Sequence, residues 1–269
     1  MSFLEGMKAR GRMSRLKTGL KYTRRSFGFQ LRHPIVVALG LLQLVVVWGA
    51  LFGIGSYALS GDFGEIHPTA IASIVAGYLV VSVLTTLTNA VITSYVFAAE
   101  MGVTHPLTHA LSHVRRRLSA VLGYAVLAAT VLSVLRFGTE LLRGRAIVGE
   151  LAAWVLEATI LAAWYAATIY AVPVLLFEED TSLRGMISRS ASLLGESKWT
   201  YATAVSAWPI ILAFVVIGIG LLVFVDGAMG LIGLLVAVVT GLVVHRIFNS
   251  IFKAYLYGEV AGPFSMSNA

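Results

Sequence analysis

Three histidines, His105, His109 and His113, recur at intervals of four residues. On an α-helix this spacing turns neighbouring histidines towards one side, where two imidazoles could bind the same metal ion. His105 stands directly before Pro106 and is expected at a helix start, and Glu100 is the one carboxylate close by in the sequence. We therefore interpret the histidines as the polar face of an interfacial helix and predict no metal site.

Three consecutive acids, Glu178, Glu179 and Asp180, follow the apolar run that contains Pro173, where we expect a helix to end. Paired carboxylates could bind a cation or act as general acid and base. The acids also stand just before a predicted helix, whose N-terminal dipole favours negative charge and whose free N–H groups Asp or Thr can cap. Helix capping is the interpretation we favour.

Sequence motifs of enzymes are not found in the chain. It has no phosphate-binding loop, no HExxH metal motif, no GxSxG nucleophile elbow and no paired-aspartate motif of membrane transferases. Asp226-Gly227 resembles the start of a phosphatidyltransferase motif, but no further pair of aspartates follows. We predict a protein that is not an enzyme, with no catalytic residues and no cofactor.

Polar side chains interrupt two apolar runs. Asn89 and Thr93 belong to one polar stripe, and His245, Asn249 and Lys253 follow one another at four-residue spacing later in the chain. These side chains could line a polar cavity for a solute or a lipid headgroup. They could equally hold helices together by interhelical hydrogen bonds, which contribute about 0.6 to 2 kcal/mol each. We favour interhelical hydrogen bonding and keep the cavity as the alternative.

Glu157 is the only acid well inside an apolar run. If the span begins at Leu151, Glu157 lies six residues into it, or about 9 Å below the outer end of the span at 1.5 Å per residue. An ionised carboxylate at that depth should face protein and be paired or protonated. Arg136, at the end of the preceding run, is the predicted partner. We favour a structural ion pair over a proton- or cation-sensitive site.

The elements that position these residues are predicted to be membrane helices. The 269 residues are 58% hydrophobic and only 12% charged, with a mean hydropathy of +0.86, outside the range of soluble domains. Several apolar runs exceed the roughly 18 residues that a membrane helix needs. The chain has no cysteine, which excludes disulfides and thiolate metal sites. The predicted class is an all-α integral membrane protein.

Six apolar runs predict six transmembrane helices in one domain, residues 34–264, between a basic arm (1–33) and a short polar tail (265–269). The predicted spans are about 34–57, 68–99, 119–135, 151–177, 201–225 and 231–252. Pro209 should kink the fifth. Amphipathic surface helices are expected before the first, third and fifth spans, at 14–32, from Thr104 or His105, and at 183–194.

The faces of the first two surface helices follow from helical spacing. On the first, the predicted apolar face comprises Leu16, Leu20, Phe27 and Leu31. On the second, the predicted apolar stripe comprises Leu107, Leu111, Val114 and Leu118, and the residues predicted to face away are His109, Ser112, His113 and Arg116.

The surface helices and spans also show a weak internal repeat. Arg25-Ser26 precedes the first span as Arg189-Ser190 precedes the fifth, and an Asn-Tyr-Glu series closes both the second and the sixth. The members of that series are Asn89, Tyr95 and Glu100 in the second span, and Asn249, Tyr255 and Glu259 in the sixth. We interpret the chain as a pseudo-threefold repeat of a cytoplasmic surface helix followed by a membrane hairpin.

The net charge of +7 is unevenly distributed, because nine of the 20 Lys and Arg residues precede Pro34. A basic arm beside a membrane helix indicates topology and also binds anionic headgroups, so lipids rather than nucleic acid are the expected partner. A second copy or another membrane protein is a further expected partner. With both termini cytoplasmic, the inner segments hold 17 of the basic residues, which predicts a multi-pass protein of the cytoplasmic membrane. The predicted headgroup contacts are Lys17, Lys21, Arg24, Arg25 and Arg32.

The pattern Val172-Pro173-Val174, Glu178, Arg189-Ser190 and Trp199, with the Arg25-Ser26 helix and the six-span length, resembles an uncharacterised prokaryotic family of six-helix membrane proteins. That family is distantly similar to the membrane regions of some glycerophosphodiester phosphodiesterases. The resemblance implies the six-helix fold and a cytoplasmic-membrane location. It implies no catalytic residues, and this sequence holds no counterpart of the phosphodiesterase domain.

Together these observations predict a non-enzymatic membrane protein, a lipid-associated scaffold or accessory subunit of a prokaryotic cell membrane. The alternative is a small transporter or channel component with a polar cavity near the inner face.

Overall fold

The structure is a computed structural model that describes residues 3–59, 68–140, 146–178, 182–202, 208–225 and 227–261. Every regular element in these ranges is a helix, so the all-α prediction is confirmed. In chain order the helices are α1 (Phe3–Arg32), α2 (Pro34–Leu59), α3 (Pro68–Glu100), α4 (Pro106–Arg116), α5 (Leu118–Glu140), α6 (Ala146–Thr168), α7 (Ala171–Phe177), α8 (Leu183–Tyr201), α9 (Trp208–Phe224) and α10 (Ala228–Val260).

Several of these helices are long and apolar enough to cross a bilayer. Within the described ranges there are four such spans: Val75–Glu100 of α3, Leu118–Thr139 of α5, Gly149–Phe177 of α6 with α7, and Met229–Val260 of α10. A fifth arises if Ser14–Arg32 and Pro34–Val46 count as one bent span, and Ile211–Phe224 of α9 is a shorter apolar helix. The described chain therefore carries four to five candidate membrane spans.

The chain turns sharply between α1 and α2. His33 alone separates them, and Pro34 opens α2. Because the ring of a proline disfavours the helical conformation of the residue before it, His33 interrupts the helix. The two axes consequently differ by 88°. A helix at a right angle to a span lies along the membrane surface.

A second break separates α6 from α7, close to the helix end expected at Pro173. Pro173 has no N–H to donate, and its ring clashes with the carbonyl four residues earlier, at Ile169. The helix is therefore interrupted at Ile169 and Tyr170, before the proline, and continues afterwards to Phe177. The Tyr170 N–H donates to the Ser190 hydroxyl at 3.0 Å instead of to a carbonyl of α6. A side chain of α8 thus stabilises the break.

In the described ranges Pro209 lies in the first turn of α9, where the missing N–H of a proline costs little. Residues 203–207 lie outside the described ranges, so the kink at Pro209 stays a prediction. α8 continues to Tyr201, where the fifth span was predicted to begin.

The helices form two compact units, residues 1–41 with 193–269, and residues 42–192. In the first unit α10 packs on α9 and on α1. Glycines allow the close approach of α9 and α10. A Cβ built on Gly241 would lie 2.8 Å from the Cβ of Phe214, and one built on Gly218 would lie 2.8 Å from a methyl group of Leu234. Larger residues at these glycines would push the two helices apart.

In the second unit α3 packs against α4, α5 and α7, and α5 packs against α6 and α7. The Ser82 hydroxyl on α3 donates to the Ala125 carbonyl of α5 at 2.8 Å. The Gln43 amide on α2 donates to the Thr85 hydroxyl on α3 at 3.2 Å. Polar side chains on α3 therefore bind neighbouring helices directly.

Candidate functional site

α1 packs on α10 through aromatic rings. The rings of Phe27 and Phe248 stack with their centroids 4.6 Å apart, and those of Tyr22 and Tyr255 stack at 6.0 Å. Phe29, three residues after Ser26 in α1, is fully buried. An aromatic face therefore joins α1 to the membrane helix α10.

The predicted apolar face of α1 is divided by this packing. Phe27 contacts α10, whereas 52% of Leu20 and 86% of Leu31 are not covered by protein. The predicted apolar face thus has one member packed on protein and two that protein leaves uncovered. In a membrane protein, lipid can cover them instead.

The basic residues predicted to bind headgroups are all exposed, and two of them have contacts within the helix packing. The Arg25 guanidinium lies 4.7 Å from the centroid of the Tyr255 ring, a cation–π distance. The Arg32 Nε–H donates to the Gly28 carbonyl at 3.0 Å. The five exposed residues are Lys17, Lys21, Arg24, Arg25 and Arg32.

Lys17, Lys21 and Arg24 recur at helical spacing, so they share one uncovered side of α1. Leu20 and Leu31 lie four residues before and seven residues after Arg24, along the border of that side. α1 thus presents three surfaces: an aromatic face on α10, a leucine border and a basic face. This arrangement suits a helix that lies between protein, lipid tails and anionic headgroups.

α4 buries a different face from the one predicted. Its buried residues are Ala110, His113 and Val114, whereas 51% of Leu111 is uncovered. The prediction that His113 faces away was wrong. His113 can be buried because its ring has polar partners. Nδ1 lies 3.0 Å from the Ser94 hydroxyl, and the ring also binds the Leu176 carbonyl.

These contacts define the state of the His113 ring. The Ser94 hydroxyl lies beside Nδ1, and a hydrogen bond to the Leu176 backbone favours the protonated ring but is outweighed. Burial first, and the positive charge of Arg116 second, hold the pKa of His113 below its usual range. His113 therefore joins α4 to α3 and α7 as a neutral ring.

The same hydrogen bonds bear on the possible metal pair. The ring centroids of His109 and His113 are 6.3 Å apart. The Nδ1 of His113 is engaged by Ser94, so it could bind a metal only by losing that hydrogen bond. No group of three potential ligands occurs among the described residues. His105 stands at the N-cap of α4 without a side-chain capping bond, and Pro106 follows it in the first turn.

The ion pair expected inside the membrane has both partners close together. Arg136 Nη1 on α5 lies 3.7 Å from Glu157 Oε1 on α6, and 42% and 23% of the two side chains are exposed. α6 starts at Ala146, five residues before the predicted start, so Glu157 lies eleven residues into it. That position is about 16 Å along the helix axis, whereas Arg136 lies four residues before the end of α5. The pair therefore links two candidate spans.

Glu178 is the one residue of the acid triplet that the structure describes. It ends α7 rather than capping α8, and its carboxylate accepts a hydrogen bond from Arg189 Nε at 3.0 Å. Ser182 caps α8 instead, because its hydroxyl accepts from the Gly185 N–H at 3.1 Å. The capping predicted for Asp or Thr stays a prediction, because Glu179, Asp180 and Thr181 lie outside the described residues. The Arg189-Ser190 dipeptide was the sequence signal that could have predicted this contact between the end of α7 and α8.

The candidate cavity residues lie in two units. Asn89 and Thr93 belong to α3, and His245 and Asn249 belong to α10. Thr93 is buried, and the other three are partly buried. Two neighbours in the α3 stripe, Ser82 and Thr85, already bind other helices. Interhelical hydrogen bonding therefore accounts for part of that stripe.

Fold and site together define the class as an all-α protein with membrane-length helices. No protein-family model matches the chain, and no curated protein is similar to it. The resemblance to an uncharacterised six-helix family stays a prediction, and the function is argued from the geometry.

Proposed function

We propose that this protein is a lipid-associated integral membrane protein that serves as a scaffold or accessory subunit rather than as an enzyme. Its place would be the cytoplasmic membrane of a prokaryote, with both termini cytoplasmic. The spans would be α2, α3, α5, α6 with α7, α9 and α10, in three hairpins. α1, α4 and α8 would each precede one hairpin at the inner surface, as in the six-helix family that the sequence resembles.

The observation that carries this proposal is the division of α1 into three surfaces. Its aromatic face packs on α10, its leucines are uncovered, and Lys17, Lys21 and Arg24 form a separate basic face. The 88° turn into α2 orients such a helix along a membrane. Each basic residue near an anionic surface contributes about 1 kcal/mol, so these three would supply about 3 kcal/mol, or roughly a hundredfold in affinity.

Paired features of the chain support the repeat. Ser26 on α1 and Ser190 on α8 are both fully enclosed, and each follows an arginine with a defined contact. α3 and α10 both have 33 residues. Tyr95 and Tyr255, which occupy corresponding places in these two helices, are both buried. Similar burial at corresponding positions is expected of duplicated units.

The proposed lipid contact can be tested on the full-length protein in neutral detergent, with a fluorescent phosphatidylglycerol as the probe. The variant Lys17→Gln/Lys21→Gln/Arg24→Gln should bind it roughly a hundredfold more weakly. The matched control Lys17→Arg/Lys21→Arg/Arg24→Lys keeps the charge and should bind like the wild type. Binding should weaken at high salt. Equal binding by the glutamine variant would refute the role of α1.

A small transporter or channel component is the second candidate, because the α6–α7 break interrupts a candidate span as in many transporters. Tyr170 and Ala171 at this break are fully buried, and the Tyr170 N–H is bound by Ser190. Transport would require the break to open. Because the chain lacks cysteine, Ala171→Cys gives a single reporter. Rapid reaction with a small water-soluble thiol reagent would favour transport, and protection would favour the scaffold.

A further inference from the structure

α10 is longer than a bilayer requires. Its 33 residues extend about 50 Å, whereas the hydrocarbon core is about 30 Å thick and needs about 20 residues. The helix is apolar from its first turn after Gly227, so the excess length lies at its C-terminal end. Residues beyond about position 248 would therefore lie at the level of the lipid headgroups.

Three polar side chains share one side of α10 at this level. Arg246, Asn249 and Lys253 are spaced by three and four residues, which places them along one helix face. Arg246 and Lys253 are separated by about 10 Å along the axis, a distance that their long side chains can bridge from both ends. Asn249 lies between them. Such a row offers guanidinium, amide and ammonium N–H donors to a single group.

Lys253 has positively charged neighbours. The charged group that acts on it is Arg246, and Lys253 in turn acts on His245. Within the described ranges, no carboxylate pairs with Lys253. The acid of the same helix end, Glu259, is hydrogen-bonded to the Tyr22 hydroxyl. A partly buried ammonium among cations is unfavourable unless an anion joins it.

The surroundings of Lys253 are otherwise well packed. Phe252, Ala254 and Leu256 are fully buried, so the helix backbone holds the lysine in a defined position. The three donors of an ammonium and the planar fork of a guanidinium are the groups that bind phosphate oxygens in proteins. Among the described residues, Lys253 thus lacks an anion with several acceptor oxygens.

We propose that Arg246, Asn249 and Lys253 bind a phosphate group, supplied by a phospholipid headgroup or by free phosphate. The inference rests on the proposed lipid association and assigns it a second site, separate in sequence from the basic face of α1. The position of this row at headgroup level favours the phospholipid as the source. The bound phosphate neutralises Lys253 and completes the inner end of α10.

The test is the thermal unfolding of the full-length protein in neutral detergent, titrated separately with phosphatidylglycerol, phosphatidylcholine and inorganic phosphate. Phosphatidylglycerol should raise the wild-type midpoint in a saturable way. Lys253→Met should need at least about ten times more of it for half the effect. Lys253→Arg should respond like the wild type, and Arg184→Met, at an exposed arginine of α8 outside both proposed sites, should retain the saturable response. A response to inorganic phosphate alone would identify free phosphate as the source of the same chemistry.

Without lipid, Lys253→Met should be at least as stable as the wild type, because it removes an unpaired charge. Asn249→Asp should stabilise the lipid-free protein and abolish the response, since its carboxylate lies four residues from Lys253 and would replace the phosphate. The proposal is overturned if Lys253→Met keeps the wild-type response or if lipid-free Lys253→Met is markedly destabilised. If only the α1 proposal fails, the α1 glutamine variant should bind phosphatidylglycerol like the wild type. The thermal response that depends on Lys253 should then remain intact.

Discussion

Replacing Glu157 and Arg136 together by glutamine should cost less unfolding free energy than the sum of the two single replacements. At the observed separation of 3.7 Å, two unit charges attract by about 4 kcal/mol in a medium of effective dielectric constant about 20. The Arg136 side chain is 42% exposed, so water or headgroups screen part of this attraction. We expect a coupling free energy of about 1–2 kcal/mol.

The assay is reversible unfolding in mixed micelles titrated with a denaturing detergent, for Glu157→Gln, Arg136→Gln and the double variant. Each single variant should lose about 2–3 kcal/mol of unfolding free energy, because it leaves the other charge unpaired near the membrane interior. The double variant should lose less than the sum of the two. Glu150→Gln provides the matched control, since Glu150 lies on the same helix but is exposed. Additive losses for Glu157 and Arg136, as for the control, would refute the ion pair.

Three further predictions concern topology, pH and helix packing. Glu150→Cys, exposed near the start of α6, should react with an impermeant thiol reagent from outside the cell. Ser192→Cys, exposed on α8, should react only after lysis. The reverse pattern would contradict the proposed topology. Folding lowers the pKa of His113, so the stability that its neutral ring contributes should be fully present above pH about 6.5 and be lost as the pH falls towards the folded-state pKa. The variant His113→Gln should weaken this pH dependence of unfolding. An unchanged pH profile in that variant would assign the dependence to other groups. Gly241→Ala should cost about 1–3 kcal/mol of unfolding free energy, because its Cβ would lie 2.8 Å from the Cβ of Phe214. Gly220→Ala, with open space around it, should cost nothing measurable. Equal unfolding free energies for the two variants would argue against the close packing of α9 and α10.

The existence and type of the helices could be read from hydropathy, because a chain in lipid must satisfy its backbone hydrogen bonds within each segment. Several helix starts could be read as well. Pro34, Pro68 and Pro106 each open a helix, since proline fits the first turn and excludes continuation of a preceding helix. The joint near Pro173 was foreseen for the same local reason. Local chemistry decides such features, so they need no knowledge of the neighbours.

The covered faces of the helices could not be read in this way. Leu111 is uncovered and His113 is buried, contrary to the amphipathic pattern, because lipid covers leucine as well as protein does. His113 enters the interior because Ser94 and the Leu176 backbone, distant in sequence, meet its ring. The positive surroundings of Lys253 among the described residues are equally a property of the packed helices. Hydropathy determined which segments are membrane-length helices, and tertiary packing decided which polar groups they bury, since a buried polar group depends on partners that only the folded chain brings together.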